Sequence, residues 1–223
     1  MSAPTAPATD VKSARSPLSK ASKRYIGIGA IVVVLIAMVL GTKIVPADDP
    51  LAQGTQKFDA ASYGGETFPG VQSAIADQAT DAETLAAAIA EDPAAAAEEY
   101  AVQSSGGAVY STTFTGVVGE GKSGIYEVAV EGIPGNLLIR IQTGPAINGT
   151  ELRDATGEIE FGQFVNQIDY QNAAAALNEE LKAQVLADVD TTNLTGATVE
   201  ITGAFTLINP SSWLVTPVEM TIQ

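Results

Sequence analysis

The 223-residue sequence has no cysteine and no histidine, and it is poor in basic side chains. The absence of Cys excludes disulfides, thiolate zinc sites, a cysteine nucleophile and attachment of lipid to a cysteine. The absence of His excludes a Ser-His-Asp triad, a His-Glu-x-x-His zinc site and any imidazole acid or base. Lys and Arg number 11 against 26 Asp and Glu, a net charge of −15. Proteins that grip a phosphate backbone carry basic patches, so nucleic acid is not an expected partner. No residue pattern calls for a cofactor or a resident metal.

The charge that is present is unevenly placed. Residues 1–24 hold five bases against Asp10, a net of +4, whereas the chain after Tyr25 holds six bases and 25 acids, a net of −19. Between them, Tyr25 to Thr42 is uncharged (YIGIGAIVVVLIAMVLGT). As a helix this run spans roughly 27 Å, close to the thickness of a bilayer core. With Ile44 and Val45 extending it, residues 25–45 read as an uncleaved transmembrane signal anchor. The basic residues 1–24 read as a disordered cytoplasmic tail, and the acidic bulk as extracytoplasmic, by the positive-inside rule. The expected location is the cell membrane, single-pass, with the N-terminus in the cytoplasm.

Residues 46–68, rich in Pro, Gly, Asp and Gln, read as a stalk. Residues 69–107 read as a helical segment. Val71, Ile75 and Ala79 share a face, and Ala82, Leu85, Ala86 and Ile89 continue a helical spacing. Thr80-Asp81-Ala82-Glu83 has the capping-box pattern, and Asp92-Pro93 is an N-cap with Pro at the first helical position. From Ala108 the period changes. Residues 109–118, 125–131, 137–143, 197–208 and 213–222 are rich in Val, Ile, Thr and aromatics, with Gly or Pro between them. A helix over about 172–189, with Ala174, Leu177, Leu181, Val185 and Val189 on its apolar face, interrupts the strands. The expectation is an α+β chain. Its residues 108–223 form a small OB-like five-stranded antiparallel barrel with a helix between strands 3 and 4. A small antiparallel sheet packed on helices is the alternative.

Few motifs carry chemistry. Gly116 to Ser123 (GVVGEGKS) matches the phosphate-loop pattern letter for letter, but that loop must open a helix. GIYEVAVE follows instead, so a Gly-rich hairpin turn with an exposed Lys122 is expected. In LLIRIQT, alternation places Leu137, Ile139 and Ile141 on one face and Leu138, Arg140 and Gln142 on the other. Arg140 and Arg153 stand out among so few cations, since a guanidinium suits carboxylates, phosphates and sugar hydroxyls. The alternative is that both pair with local acids. The stretch 161–174 mixes Phe161, Phe164 and Tyr170 with Asn166, Gln167 and Gln171, as either a sugar site or a small core would.

The segments KIVP (43–46), FDAASY (58–63), GEGK (119–122), the block 139–181, TVEITGAF (198–205) and LVTPVE (214–219) resemble a bacterial family of predicted periplasmic lipoproteins, domain-of-unknown-function family 2291. One departure is plain: Thr42 stands where the lipid-bearing Cys of such a protein is expected. Genes of the family often lie beside sugar-type ABC transporters. The resemblance therefore implies a membrane-anchored extracytoplasmic accessory or binding protein, non-catalytic and associated with an ABC-type sugar uptake system. Its expected partners are the cytoplasmic membrane, a transporter permease or solute-binding protein, and carbohydrate. The expected ligand or partner contacts are Arg140, Gln142, Asn148, Thr150, Arg153, Asp154, Asn166 and Gln167. The rival readings are a structural envelope interaction module without a small ligand and, more remotely, a carboxylate-based hydrolase.

Overall fold

Thr, Val, aromatic and Gly residues from Gly107 to Lys122 make one long strand, and the molecule is organised around it. The computed structural model describes residues 58–223 and, before them, Met38, which is helical. The expected tail, most of the anchor and the stalk as far as residue 57 lie outside the described residues. Among the described residues no helix is long and apolar enough to cross a membrane.

The elements are α1 (Ala60–Gln78), β1 (Thr80–Asp81), α2 (Ala82–Glu91), α3 (Pro93–Tyr100), β2 (Ala101–Ser104), β3 (Gly107–Lys122), β4 (Ile125–Val130), β5 (Leu138–Gln142), α4 (Glu151–Asp154), α5 (Gln167–Gln184), β6 (Thr198–Thr206) and β7 (Ser212–Ile222). A single 3-10 turn, Phe161–Gln163, lies between α4 and α5.

Five strands close a ring. β3 pairs with β4, β4 with β5, β5 with β7, β7 with β6, and β6 returns to β3 along Val109–Val117. This is OB-type connectivity, and the helix α5 falls between the third and fourth barrel strands, as expected. The sheet is not purely antiparallel, however, and it has seven strands. After β5 the chain crosses through α4 and α5 to β6. β7 then runs back against β6 and fills the gap beside β5, so β5 and β7 are parallel. β3 is longer than β4, and its uncovered edge needs partners for its amides and carbonyls. β2 supplies them at Gly107–Tyr110, and β1 at Thr112–Thr113.

Alternation along the strands divides the apolar residues into two cores. Tyr110, Phe114, Val118, Tyr126, Val128, Ile139, Ile141, Val199, Ile201, Phe205, Trp213 and Val215 fill the barrel, joined by Leu85, Ala86 and Ile89 of α2. Phe205 stacks on Trp213 at 4.5 Å and on Tyr110 at 5.5 Å. On the outer face, Val109, Ala204 and Val218 meet Phe68, Val71 and Ile75 of α1 and Leu177 and Leu181 of α5. Val218 reaches that layer through a bulge in β7, where Gly203 pairs with Pro217 but Thr202 with Glu219.

The helices depart from expectation in instructive ways. α1 begins at Ala60, inside the stretch 46–68 expected as a stalk, despite Gly64, Gly65 and Pro69. Gly64 is the reason the helix seats on α5. A Cβ there would lie only 3.0 Å from the Ala176 carbonyl oxygen, so the missing side chain allows the two backbones to approach. The packing gained outweighs a poor local propensity. Asp81, not Thr80, caps α2, accepting from the amides of Glu83 and Thr84, and Thr80 joins the sheet instead. Asp92 caps α3 with Pro93 at its start, as the sequence predicts. The expected helical segment 69–107 ends at Tyr100, because Ala101–Ser104 is strand. The helix expected at 172–189 is α5, five residues earlier at both ends, because Asn166 caps it by accepting from the Asp169 amide.

The loop-like pattern GVVGEGKS is the end of β3 and the turn to β4. Ser123 (φ 54°) and Gly124 (φ 75°) are the two turn residues between Lys122 and its partner Ile125, both left-handed as a tight hairpin with two positive-φ residues requires. Gly124 also lies against the β5 exit. Its carbonyl accepts from the Thr143 amide at 2.7 Å, and a Cβ would land on the Gly144 carbonyl. Gly124→Ala is therefore expected to cost about 2–3 kcal/mol of stability, from strained backbone plus displacement of the 143–145 loop. Denaturant unfolding followed through the single buried Trp213 measures it; a loss below about 0.5 kcal/mol would contradict this account.

Candidate binding site

Outward positions on β4 and β5 are set by the pleat. Tyr126, Val128, Ile139 and Ile141 point into the barrel, which leaves Ile125, Glu127, Leu138 and Arg140 on the other face. With Glu120, Gly121 and Lys122 from the end of β3 and Ser123 from the turn, three of these, Ile125, Glu127 and Arg140, line a concavity of about 460 Å³. Arg140 is half-buried and donates from Nη2 to Ser212 Oγ at 2.9 Å. Its register partner across β4 is Glu127, yet the two form no ion pair. The guanidinium is thus held at one edge by the neighbouring strand while its charge is not neutralised by contact. Two cations and two carboxylates around one hollow suit a ligand that both donates and accepts hydrogen bonds, such as a polyol or a peptide segment.

The other expected residues divide into separate tasks. Gln142 is buried and braces the loop after β5: its Nε2 donates to Thr216 Oγ1 at 2.9 Å and to the Asn148 carbonyl at 3.1 Å. Its Oε1 accepts from the Asn148 amide. Asn148 contributes only its backbone to this brace, and its side chain is exposed. Asn166 is spent as the α5 cap, and Gln167 is exposed at the first helical position. None of these four joins Arg140 in the hollow.

Arg153 and Asp154 form a second, inward cluster. Both are buried. Arg153 Nε and Nη2 meet the two Asp154 carboxylate oxygens at 2.7 and 3.1 Å. Arg153 Nη1 donates to the Tyr170 carbonyl, and its guanidinium carbon lies 3.6 Å from the Tyr170 ring centre. Thr150 Oγ1 donates to Asp154 at 2.6 Å. Each guanidinium nitrogen of Arg153 has an acceptor, and its charge is met by Asp154, so the cluster joins α4 to α5 as an internal brace. The neighbouring hollow of about 280 Å³ is lined by Asp154, Tyr170, Phe161, Gln103 and Ser104.

Three contributors were not singled out from sequence. Glu120 and Glu127 join the hollow through strand register, which pattern alone does not supply. Asn178, buried on α5, donates to the Gly149 carbonyl and supports the same loop as Gln142; a lone Asn on an otherwise apolar helix face was its signal. Glu151 is also partly enclosed. Burial pushes its carboxyl above the ordinary value near 4.5, against the hydrogen bond from Thr206 Oγ1 that favours the charged form.

Residues 32–221 match the family described as a predicted periplasmic lipoprotein, domain of unknown function 2291. That family description is of extracytoplasmic, membrane-anchored proteins of unknown function. The solved structure of an OB-fold protein from Thermotoga maritima is similar over 75% of this chain and 100% of its own, with a TM-score of 0.60 and 21% identity. At that identity the likeness supports the fold alone. No curated protein matches the sequence.

The two arginines are expected to behave oppositely. Arg153→Ala leaves Asp154 buried without its cation and should cost about 3–5 kcal/mol, whereas Arg140→Ala should cost under about 1 kcal/mol. Thermal unfolding of both variants checks this; equal losses would refute the distinction. Glu151 binds its proton more tightly in the folded chain, so its contribution falls as pH rises through and above 4.5. Glu151→Gln should therefore raise the melting temperature at neutral pH and leave it little changed in strong acid. A gain that is the same at every pH would contradict this.

Proposed function

The chain belongs to the predicted periplasmic lipoprotein family, and from that premise we propose that it is a non-catalytic binding module working beside an ABC-type sugar uptake system. In this reading a single-pass signal anchor at residues 25–45 holds the module to the outer face of the cytoplasmic membrane. The anchor replaces the lipid that Thr42 cannot carry. The barrel face around Arg140 takes the ligand or the transporter's own polypeptide.

One observation carries the reading. Arg140 is anchored by Ser212 but not ion-paired, in a hollow on the second and third barrel strands. That is the face by which OB folds bind oligonucleotides and oligosaccharides. The acidic character of the chain disfavours the first of these ligands. The second stays compatible with Glu120, Glu127, Lys122 and Ser123, which offer both donors and acceptors to hydroxyl groups. The absence of His and Cys, and the lack of a nucleophile paired with a base among the described residues, support a role in binding over catalysis.

The test is a mild-detergent pull-down of the tagged full-length chain from native membranes, read by mass spectrometry, with wild type beside Arg140→Ala. Stoichiometric recovery of a sugar-transporter permease or solute-binding protein is expected, reduced about tenfold by the substitution without loss of fold. Recovery of only unrelated envelope proteins would overturn the transport reading and favour a structural interaction module. Equal recovery by both forms would remove Arg140 from the site.

A further inference from the structure

An apolar patch lies at the end of the domain where the chain enters it. Phe161 is 53% exposed, Val165 64% and Ile168 68%. Single exposed apolar residues are ordinary; three within eight positions, on a rigid base, are not. The base is a set of rings. Phe164 packs on Tyr170 at 5.3 Å, on Phe58 at 5.6 Å and on Tyr63 at 5.7 Å, and Phe161 packs on Tyr170 at 5.7 Å. The α5 cap at Asn166 fixes Val165 and Ile168 on either side of the helix start.

We propose that this patch rests on the lipid bilayer to which the domain is tethered. The argument is the tether. Phe58, in the ring set beneath the patch, is separated from Thr42, the last residue of the apolar run, by 15 residues. Fully extended, that length reaches at most about 50 Å. A surface at the tethered end therefore meets the membrane at a high effective concentration. Phe, Val and Ile are side chains that partition into the headgroup and upper acyl region. Among the described residues the charged groups beside the patch in sequence are acids, Glu158, Glu160 and Asp169, and Asp169 is engaged by Asn166 Nδ2 at 2.9 Å. The contact is thus apolar, made to uncharged lipid, and not strengthened by anionic headgroups. It rests on the anchored placement of the chain and not on the Arg140 site.

The absence of Cys makes the test clean. Ile168→Cys in the full-length chain, carrying an environment-sensitive fluorophore, is reconstituted into phosphatidylcholine vesicles. The comparison site is Gln184→Cys, exposed at the other end of α5 and about 24 Å away along the helix. The Ile168 label is expected to emit at shorter wavelength than the Gln184 label and to be quenched severalfold more by nitroxide-bearing lipid. Phe161→Ser with Val165→Ser should reverse both effects. Equal emission at the two sites would overturn the proposal. A short-wavelength Ile168 signal that nitroxide lipid does not quench would also overturn it, since a protein surface then covers the patch. Either result leaves the Arg140 pull-down unaffected.

Discussion

Pairing of β3 with β6 is the constraint on which the other layers depend. Nine consecutive residue pairs, Val109–Val117 with Thr206–Thr198, turn an open meander into a ring. Closure removes the edge that an isolated sheet would expose, and it forces each strand to present one face inward and one outward. The stack of Tyr110, Phe205 and Trp213 fills the interior across three different strands. Each ring contact adds about 0.5–1.5 kcal/mol beyond area burial. Outside, Val109 and Ala204, one residue from Tyr110 and Phe205, form the floor for α1 and α5. Opening this single pairing would unseat both cores together, so the barrel and its helices should unfold as one cooperative unit.

Scarcity of cations makes their placement informative. The described domain spends Arg153 inside, in a bidentate pair with Asp154 against Tyr170. A buried pair of this kind adds little net stability against an apolar alternative, yet leaves a large deficit if one member is removed. Its role is to fix α4 relative to α5, which in turn holds the loop that Gln142 and Asn178 brace. Arg140 is placed the other way. It is half-buried, bonds a serine hydroxyl, and faces its register partner Glu127 without an ion pair. Its Nε is buried without a partner, so the guanidinium is held ready to gain hydrogen bonds from a ligand.

Strand periodicity made the barrel legible in advance: five Val, Ile and Thr-rich runs separated by Gly or Pro, with a helical period between the third and fourth. The hairpin at Ser123-Gly124 was legible because a strand pattern follows where a phosphate loop needs a helix. Three features were not. β1 and β2 are too short to carry a period and exist only because β3 outruns β4. The start of α1 was hidden by Gly64 and Pro69, whose unfavourable propensity is overridden by a contact 112 residues away at Ala176. The division of the expected site residues was hidden as well. Neighbours in sequence such as Arg153 and Asp154 satisfy each other, while Arg140 shares its hollow with Lys122 and Glu127, which only strand register brings near.

Charge and apolar surface together constrain how such a domain stands over a membrane. The chain after Tyr25 carries a net −19, and bacterial headgroups are often anionic, so long-range forces push the domain outward. At physiological salt that repulsion fades over about 8 Å. Beyond that range the repulsion sets no orientation. Orientation is then left to short-range contact, which on the proposed placement the patch of Phe161, Val165 and Ile168 makes. With that patch against lipid, α5 leads away from its start at Asn166, and the Arg140 hollow lies on strands that neither α1 nor α5 covers. The Arg140 hollow and the apolar patch are built from different residues, so on the proposed placement a ligand at one does not displace lipid at the other.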